Sequence, residues 1–223
     1  MLSVIIPTLN SKDNLETILK SLSRSDSVDE IIVADGGSND QTKDITETYN
    51  AQFIRAPHGR GSQLSTGALA SIGDWLLFIH ADSRLLPGWS SIVQKHMDNA
   101  HHQYRAAYFR FALETTNPQA RYIEKIANWR AKSFGLPYGD QGLLISRRFY
   151  EHIGGFNDLP IMEDVDMVRR IGKNRLDDLP LALLTGADRY DHDGYIVRPI
   201  FNLFCLSLYF LGVQPDTIKR LYE

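Results

Sequence analysis

The chain has 223 residues, enough for one substantial core, and a formal net charge of -3 from 24 basic and 27 acidic side chains scattered along it. That balance leaves no basic stripe for a nucleic-acid backbone and argues against a DNA or RNA partner. Cys205, the only cysteine, offers neither an intrachain disulfide nor a CxxC pair, which fits a reducing cytoplasm.

The opening MLSVIIPTLN lacks the basic start and long apolar run of a signal peptide, so the expectation is a chain that begins directly with a strand. Ser3 to Pro7 reads as that strand, and Leu15, Ile18, Leu19 and Leu22 then recur at helical spacing. Glu30 to Ala34 gives a second strand running into DGGSND, whose Asp40 suits the cap of a helix carrying Ile45 and Tyr49. A third strand, Ala51 to Arg55, is followed by HGRGSQLSTGALAS, where Gly59 and Gly61 permit a tight entry into a helix with Leu64 and Ala68 inward. Trp75 to Ile79 is the fourth strand. Strands and helices alternating at this spacing predict a parallel sheet covered on both faces, with ligands beyond the carboxyl ends of its strands. Asn10, Asp35, Arg60, His80 and Asp82 stand at those ends.

Beyond Asp82, Trp89, Ile92, Val93, His96 and Met97 mark a helix, and Ala106 to Leu113 a strand. Asn117-Pro118 is a cap and first-turn pair for a helix reaching about Lys132. FGLPYGDQG is a Gly-rich loop before a strand at Leu143 to Ser146, and Gly154-Gly155-Phe156 precedes PIMEDVDMVRRIG, a short helix with three acids at its start. No linker interrupts this half, so one domain is expected. The apolar tract from Ile196 to Val213 is broken by Arg198, Pro199 and Asn202, which makes it a poor bilayer span. IFNLFCLSLYFLG within it reads as core packing, with contact to a membrane surface as the alternative.

Each chemical signal has two readings. In an extended chain His80 and Asp82 point to one side, with Ala81 opposite, so both would reach one divalent cation; otherwise they are a satisfied strand-end histidine and a turn-opening Asp. Asp35 suits a base N–H or ribose hydroxyl, or else anchors an Asx-turn. Arg60, at a helix N-terminus, suits a diphosphate or a nucleobase carbonyl, or is a solvated arginine. GRGSQL is not the dinucleotide fingerprint, because Leu64 stands where a third Gly is wanted. Repulsion among Glu163, Asp164 and Asp166 should raise a carboxyl toward general-base range, although acids favour any helix start and Asp166 with Arg170 is an ordinary i,i+4 pair. His192, in DRYDHDG, is a metal or phosphate ligand or a solvated loop histidine.

Taken in order, SVIIPTLN, VADGGSND, GRGSQLSTGA, HAD and GGFNDLPIMEDVD resemble a family 2 glycosyltransferase of the GT-A fold over nearly the whole chain. The resemblance implies an α/β fold with a mostly parallel, Rossmann-like sheet flanked by helices. Residues 1–84 would bind the nucleotide sugar, and residues 85–223, with a helical C-terminal segment, the acceptor. It implies a nucleotide sugar of UDP or GDP type held by Pro7, Asn10, Asp35, Arg60 and His80. A divalent cation, Mn2+ or Mg2+, would sit on Asp82, with His80 and His192 as further ligands. Asp164 would be the base that deprotonates the acceptor hydroxyl in a direct, inverting displacement, with Gly139, Asp140, Gln141 and Glu163 on the acceptor side. The acceptor is not specified.

Two departures from the family pattern stand out. His80 replaces the first Asp of the metal motif, similar to a bacterial subgroup associated with radical-SAM and selenium-related proteins; one negative charge fewer shifts preference toward manganese. Where processive synthases carry Gln-any-any-Arg-Trp, this chain has Thr185-Gly186-Ala187-Asp188-Arg189-Tyr190, which points to transfer of a single sugar. The resemblance therefore implies a non-processive cytoplasmic enzyme, peripheral to the inner membrane face if the C-terminal segment meets lipid. His80 keeps open a catalytically silent domain that binds a nucleotide sugar or glycan. A sugar-phosphate nucleotidyltransferase would want a Gly-rich, Lys-containing loop after the first strand, which PTLNSKDN does not supply.

Overall fold

Alternate residues of the first strand, β1 (Leu2–Thr8), feed two separate cores in the computed structural model, which describes residues 1–222. Val4 and Ile6 pack toward Leu15, Ile18, Leu19 and Leu22 of α1 (Lys12–Leu22) and Trp89 and Val93 of α4 (Trp89–Met97). Ile5 faces the other way, onto Leu64 and Ala68 of α3 (Arg60–Ala70) and Met167 and Ile171 of α7 (Glu163–Ile171). A strand buried on both faces has no polar alternation to show, which is why SVIIPT is continuously apolar. Gly67 lets α3 press onto β1: a Cβ there would lie 2.4 Å from Ile5 Cγ2.

The remaining strands are β2 (Glu30–Asp35), β3 (Gln52–Arg55), β4 (Trp75–Phe78), β5 (Ser83–Leu85), β6 (Ala106–Leu113), β7 (Leu143–Ser146) and β8 (Leu176–Thr185). They form one eight-stranded sheet in the order β3-β2-β1-β4-β7-β6-β8-β5. The expected parallel sheet is found from β3 to β4 and again between β6 and β8. It is not parallel throughout, because β7 runs antiparallel to both β4 and β6, and β5 antiparallel to β8. Inserting β7 reverses the chain at the sheet's centre and brings the loop before it, Gly139–Gln141, to the carboxyl end of β4.

Further helices are α2 (Thr42–Thr48), α5 (Pro118–Phe134), α6 (Arg147–His152), α8 (Asp188–Asp193), α9 (Val197–Phe210) and α10 (Pro215–Tyr222). As the sequence suggests, the Asn117 side chain caps α5 and Pro118 opens it; the helix runs two residues past Lys132 and stops at Gly135, in the left-handed region at φ 65°. Core packing accounts for only one face of α9. Cys205 and Leu206 bury against Met162, Val165 and Ile218, while Ile200, Leu203 and Phe204 away from them, and Leu211 just past the helix, are exposed. The outer face of α5 repeats the pattern with Tyr122, Ile126 and Trp129 exposed. Among the described residues no helix is long and apolar enough to cross a membrane.

Candidate functional site

The carboxyl ends of β1 and β2 are joined through one buried carboxylate. Asp35 is 1% exposed and accepts from the backbone N–H groups of Gly37 (2.9 Å) and Ser38 (2.8 Å), from Thr8 Oγ1 (3.2 Å) and from the Ser38 hydroxyl. Four donors fill the lone-pair sites of a carboxylate, so in this structure Asp35 anchors the Gly-rich turn, the Asx-type reading of its sequence. Asn10, at φ 51°, donates its N–H to Ser38 Oγ (2.7 Å) and accepts from Asn39 N–H (2.9 Å), stitching the β1 loop to that turn. Pro7 is half-buried in β1 opposite Ala34. Below the turn lies a residue that the sequence did not single out. Gln63, buried on α3, donates through Nε2 to the carbonyls of Thr8 (2.6 Å) and Ala34 (3.1 Å) and holds the two strand ends together.

β4 ends at Phe78, one residue earlier than expected, and residues 79–82 leave the extended conformation in a turn closed by Ser83 N–H on His80 O at 3.2 Å. The extended-chain argument for His80 and Asp82 sharing one side therefore does not hold. His80 lines an apolar cavity with Tyr138, Phe156, Glu163, Asp164 and Met167, whereas Asp82 is exposed in a neighbouring cleft with Asn14, Glu114 and Asp188. His80 packs against the Gly139 backbone so closely that a Cβ on Gly139 would stand 2.8 Å from its Nε2. Burial, with the Arg60 and Arg189 charges adding to it, pushes the His80 imidazole down to about 3 and keeps it neutral. Crowding by surrounding protein pushes the Asp82 carboxyl up, with Arg189 and Arg60 pulling it back.

Asp164 meets His80 across the same glycine. Its Oδ2 accepts from Gly139 N–H at 2.7 Å and its Oδ1 from Val165 N–H at 2.7 Å, so both oxygens are oriented at the start of α7. The three acids of that segment separate into different tasks. Asp166 pairs with Arg170 (2.6 Å), whose guanidinium also donates to the carbonyls of Ile153 (2.8 Å) and Gly155 (2.6 Å), so this acid holds the Gly-Gly-Phe turn. Glu163 is 1% exposed; neither oxygen has a hydrogen-bond partner, and Arg60 stands 3.3 Å from Oε1. Burial pushes its carboxyl upward, with Arg60 opposing.

The acceptor-side candidates divide in the same way. Gln141 is fully buried and donates to Phe109 O at 3.1 Å, so it fixes the Gly139–Gln141 turn and offers no surface to a ligand. Asp140 is half-buried with Oδ1 wholly shielded and unpartnered, and burial pushes its carboxyl up to about 6, against the pull of Arg130. His192 lies exposed on α8, bonded to Asp193 at 2.7 Å, and lines neither cavity. Asp188, four residues earlier, shares the Asp82 cleft instead.

Comparison with known proteins is consistent with this geometry. The profile of "Glycosyl transferase family 2" matches residues 3–154. A glycosyltransferase of Haemophilus influenzae is 28% identical over 189 residues, covering 77% of this chain and 62% of that protein. The GalNAc(5)-diNAcBac-PP-undecaprenol beta-1,3-glucosyltransferase of Campylobacter jejuni is 33% identical over 107 residues, covering 42% of this chain and 34% of its own. The chain thus spans less than two thirds of the length of these relatives. Among solved structures, glucosyl-3-phosphoglycerate synthase from Mycobacterium tuberculosis, in complex with Mn2+, UDP and glucosyl-3-phosphoglycerate, superimposes with a TM-score of 0.59. It is 21% identical and the match covers 83% of this chain and 70% of that one, which establishes the likeness of fold.

The raised Asp140 carboxyl has a measurable consequence. Its ordinary value is 3.8 and the fold lifts it to about 6, so between these values the folded chain keeps a proton that the unfolded chain has lost. The Asp140 contribution to stability is therefore full below pH 3.8 and is lost as pH rises through about 6. The unfolding midpoint, followed by circular dichroism across this window, should fall less steeply with pH in Asp140→Asn than in the parent. Parallel profiles would show that Asp140 does not titrate as described.

Proposed function

Because the chain belongs to glycosyl transferase family 2, we propose that it moves one sugar from a nucleoside diphosphate sugar, of UDP or GDP type, to an acceptor hydroxyl in a single inverting displacement. The observation that carries this reading is the fixed Asp164 carboxylate, held by Gly139 N–H at 2.7 Å beside His80 at the carboxyl end of β4. Asp164 takes the acceptor proton as the acceptor oxygen bonds to the anomeric carbon; the bond from that carbon to the diphosphate oxygen breaks, and the nucleoside diphosphate leaves. A base oriented on both oxygens enters this step with little reorganisation. Arg60 and Arg189 place positive charge near the departing anion. Tyr138 and Phe156 line the cavity and limit water around the reacting centre.

The residues of the neighbouring cleft fit a divalent cation. Asp82 and Asp188 present hard oxygen donors to one space, and crowding disfavours the Asp82 carboxylate in a way that a cation would relieve. Asp82 would hold it, with Asp188 as a further oxygen donor lining the same cleft, while His80 faces the neighbouring cavity. When bound, the cation would neutralise charge on the leaving diphosphate. UDP with Mn2+ should raise the unfolding midpoint more than UDP alone, and Asp82→Asn should remove the metal-dependent increment. If neither UDP nor GDP shows any metal-dependent stabilisation, the transferase reading fails.

Asp164→Asn separates the enzyme from a silent binding domain. It should retain donor binding in the same thermal titration and lose transfer by about 10²–10⁴-fold, measured as release of the nucleoside diphosphate with acceptor present. Turnover equal to the parent would place the base elsewhere, and donor binding without turnover in the parent would favour the silent domain.

The acceptor side also carries a partner reading. The exposed faces of α9 and α5 are apolar, Tyr122 and Trp129 are suited to a lipid headgroup boundary, and Lys125 and Lys132 flank the α5 stripe. We place an anionic membrane surface there, which suits a lipid-linked acceptor of the kind named for the Campylobacter jejuni relative. Sedimentation with phosphatidylglycerol vesicles should pellet the parent and much less of a Leu203→Glu, Phe204→Glu variant. A parent that stays in the supernatant rules this surface out.

A further inference from the structure

At the far end of the sheet from the candidate site, three side chains from three segments converge. β6 and β8 begin at the same end as β1, because β4 is parallel to β1 and two antiparallel steps through β7 restore that direction. Asp177 is the second residue of β8, His96 lies in the last turn of α4, and His102 lies in the 3-10 turn Ala100–Tyr104 that follows. One ligand atom from each lies within 4.8 Å of the others.

The state of each side chain follows from its partners. His102 Nδ1 stands 3.0 Å from the carbonyl of His96, which can only accept, so Nδ1 carries the proton. Asn99 Oδ1 accepts from His101 N–H at 3.0 Å; its amide nitrogen therefore faces His102 Nε2, 3.1 Å away, and donates to it. His102 thus turns Nε2 outward from the chain's own carbonyls, with its other nitrogen tied to a backbone carbonyl, the arrangement by which proteins orient a metal-binding histidine. His96 is 4% exposed, and its Nε2 has no partner at all. With a proton this atom is a donor without an acceptor, and without one it is an acceptor without a donor; a buried group in that position calls for a water or an ion as partner. Asp177 is held by Arg105 through Nε (2.7 Å) and Nη2 (2.5 Å), one bond to each oxygen, which leaves a second lone-pair site free on each.

We propose that His96, His102 and Asp177 form a zinc site, separate from the nucleotide cleft. Two imidazole nitrogens and one carboxylate oxygen are the borderline donors that Zn2+ takes in tetrahedral sites, with water completing the fourth position on the half-buried side of His102. The bond lengths of about 2.0–2.2 Å require the three atoms to draw together from their present spacing, and the ion would take the place of the Asn99 amide at His102 Nε2. The ion would cross-link the end of α4, the following turn and the start of β8, making the site structural, and the Arg105 bridge keeps Asp177 oriented toward it. This assignment does not depend on the transferase reading.

The test uses the whole chain, stripped with EDTA, desalted and loaded with zinc chloride. Metal analysis after a second desalting should find one tightly held zinc per chain. The unfolding midpoint should rise by about 5–10 °C at free zinc about 100-fold above Kd. His102→Gln should weaken zinc binding at least about 10-fold, whereas Asp82→Asn should leave it unchanged. Cobalt loaded in place of zinc should give the intense visible bands of a four-coordinate ion in the parent and lose them in His102→Gln. A parent that retains no zinc overturns the site, as does zinc that is lost with Asp82→Asn and kept with His102→Gln.

Discussion

The hydrogen bond from Gly139 N–H to Asp164 Oδ2, 2.7 Å long, is the contact on which the rest of the site depends. It joins a turn before β7 to the first turn of α7, and the same glycine lies against His80 at the end of β4. A Cβ here would approach His80 Nε2 to 2.8 Å, so any larger residue would push the histidine from its place. Around this point the structure spends its polar groups on fixing the backbone. Gln141 ties the turn to β6, Arg170 ties the Gly-Gly-Phe turn to α7, and Gly61 lets α3 close to 2.8 Å, measured from its absent Cβ, on Leu159 N. The base candidate is rigid because its supports are buried or paired, which is what keeping one geometry through a reaction demands.

The parts of this arrangement visible in the sequence are those set by local periodicity. β1, β2 and β4, the helices between them, and the cap at Asn117-Pro118 follow from apolar runs, helical spacing and turn residues, and these appear nearly where expected. The acid cluster of α7 was also legible in part: the i,i+4 spacing of Asp166 and Arg170 is the ion pair found.

What was not legible depends on contacts remote in sequence. That β7 runs antiparallel cannot be read from LLIS, since a short apolar strand buried on both faces looks the same in either direction. Gln63 sits in a helix whose pattern marks it only as inward, and its two bonds to strand ends 55 and 29 residues away exist because the fold brings β1 and β2 under it. Asp35 shows the reverse difficulty. Its place after a strand and before Gly-Gly-Ser fits a ligand contact and an Asx-turn equally well, and the internal donors that build the turn become visible only in the fold. The His80 and Asp82 pair failed for a local reason: the strand stopped one residue early, and a turn sends the two side chains to different cavities.

Charge is distributed over these cavities in a way that couples their ligands. Desolvation pushes the carboxyls of Asp82, Asp140 and Glu163 upward, and Arg60 acts on all three in the opposite sense. Burial keeps the His80 imidazole neutral and the Arg60 charge adds to it, so one guanidinium at the start of α3 acts electrostatically on both the cavity and the cleft. An anion bound near Arg60, as proposed above, would weaken its pull on the acids, which a cation on those acids would offset. By linkage each of the two would then raise the affinity of the other.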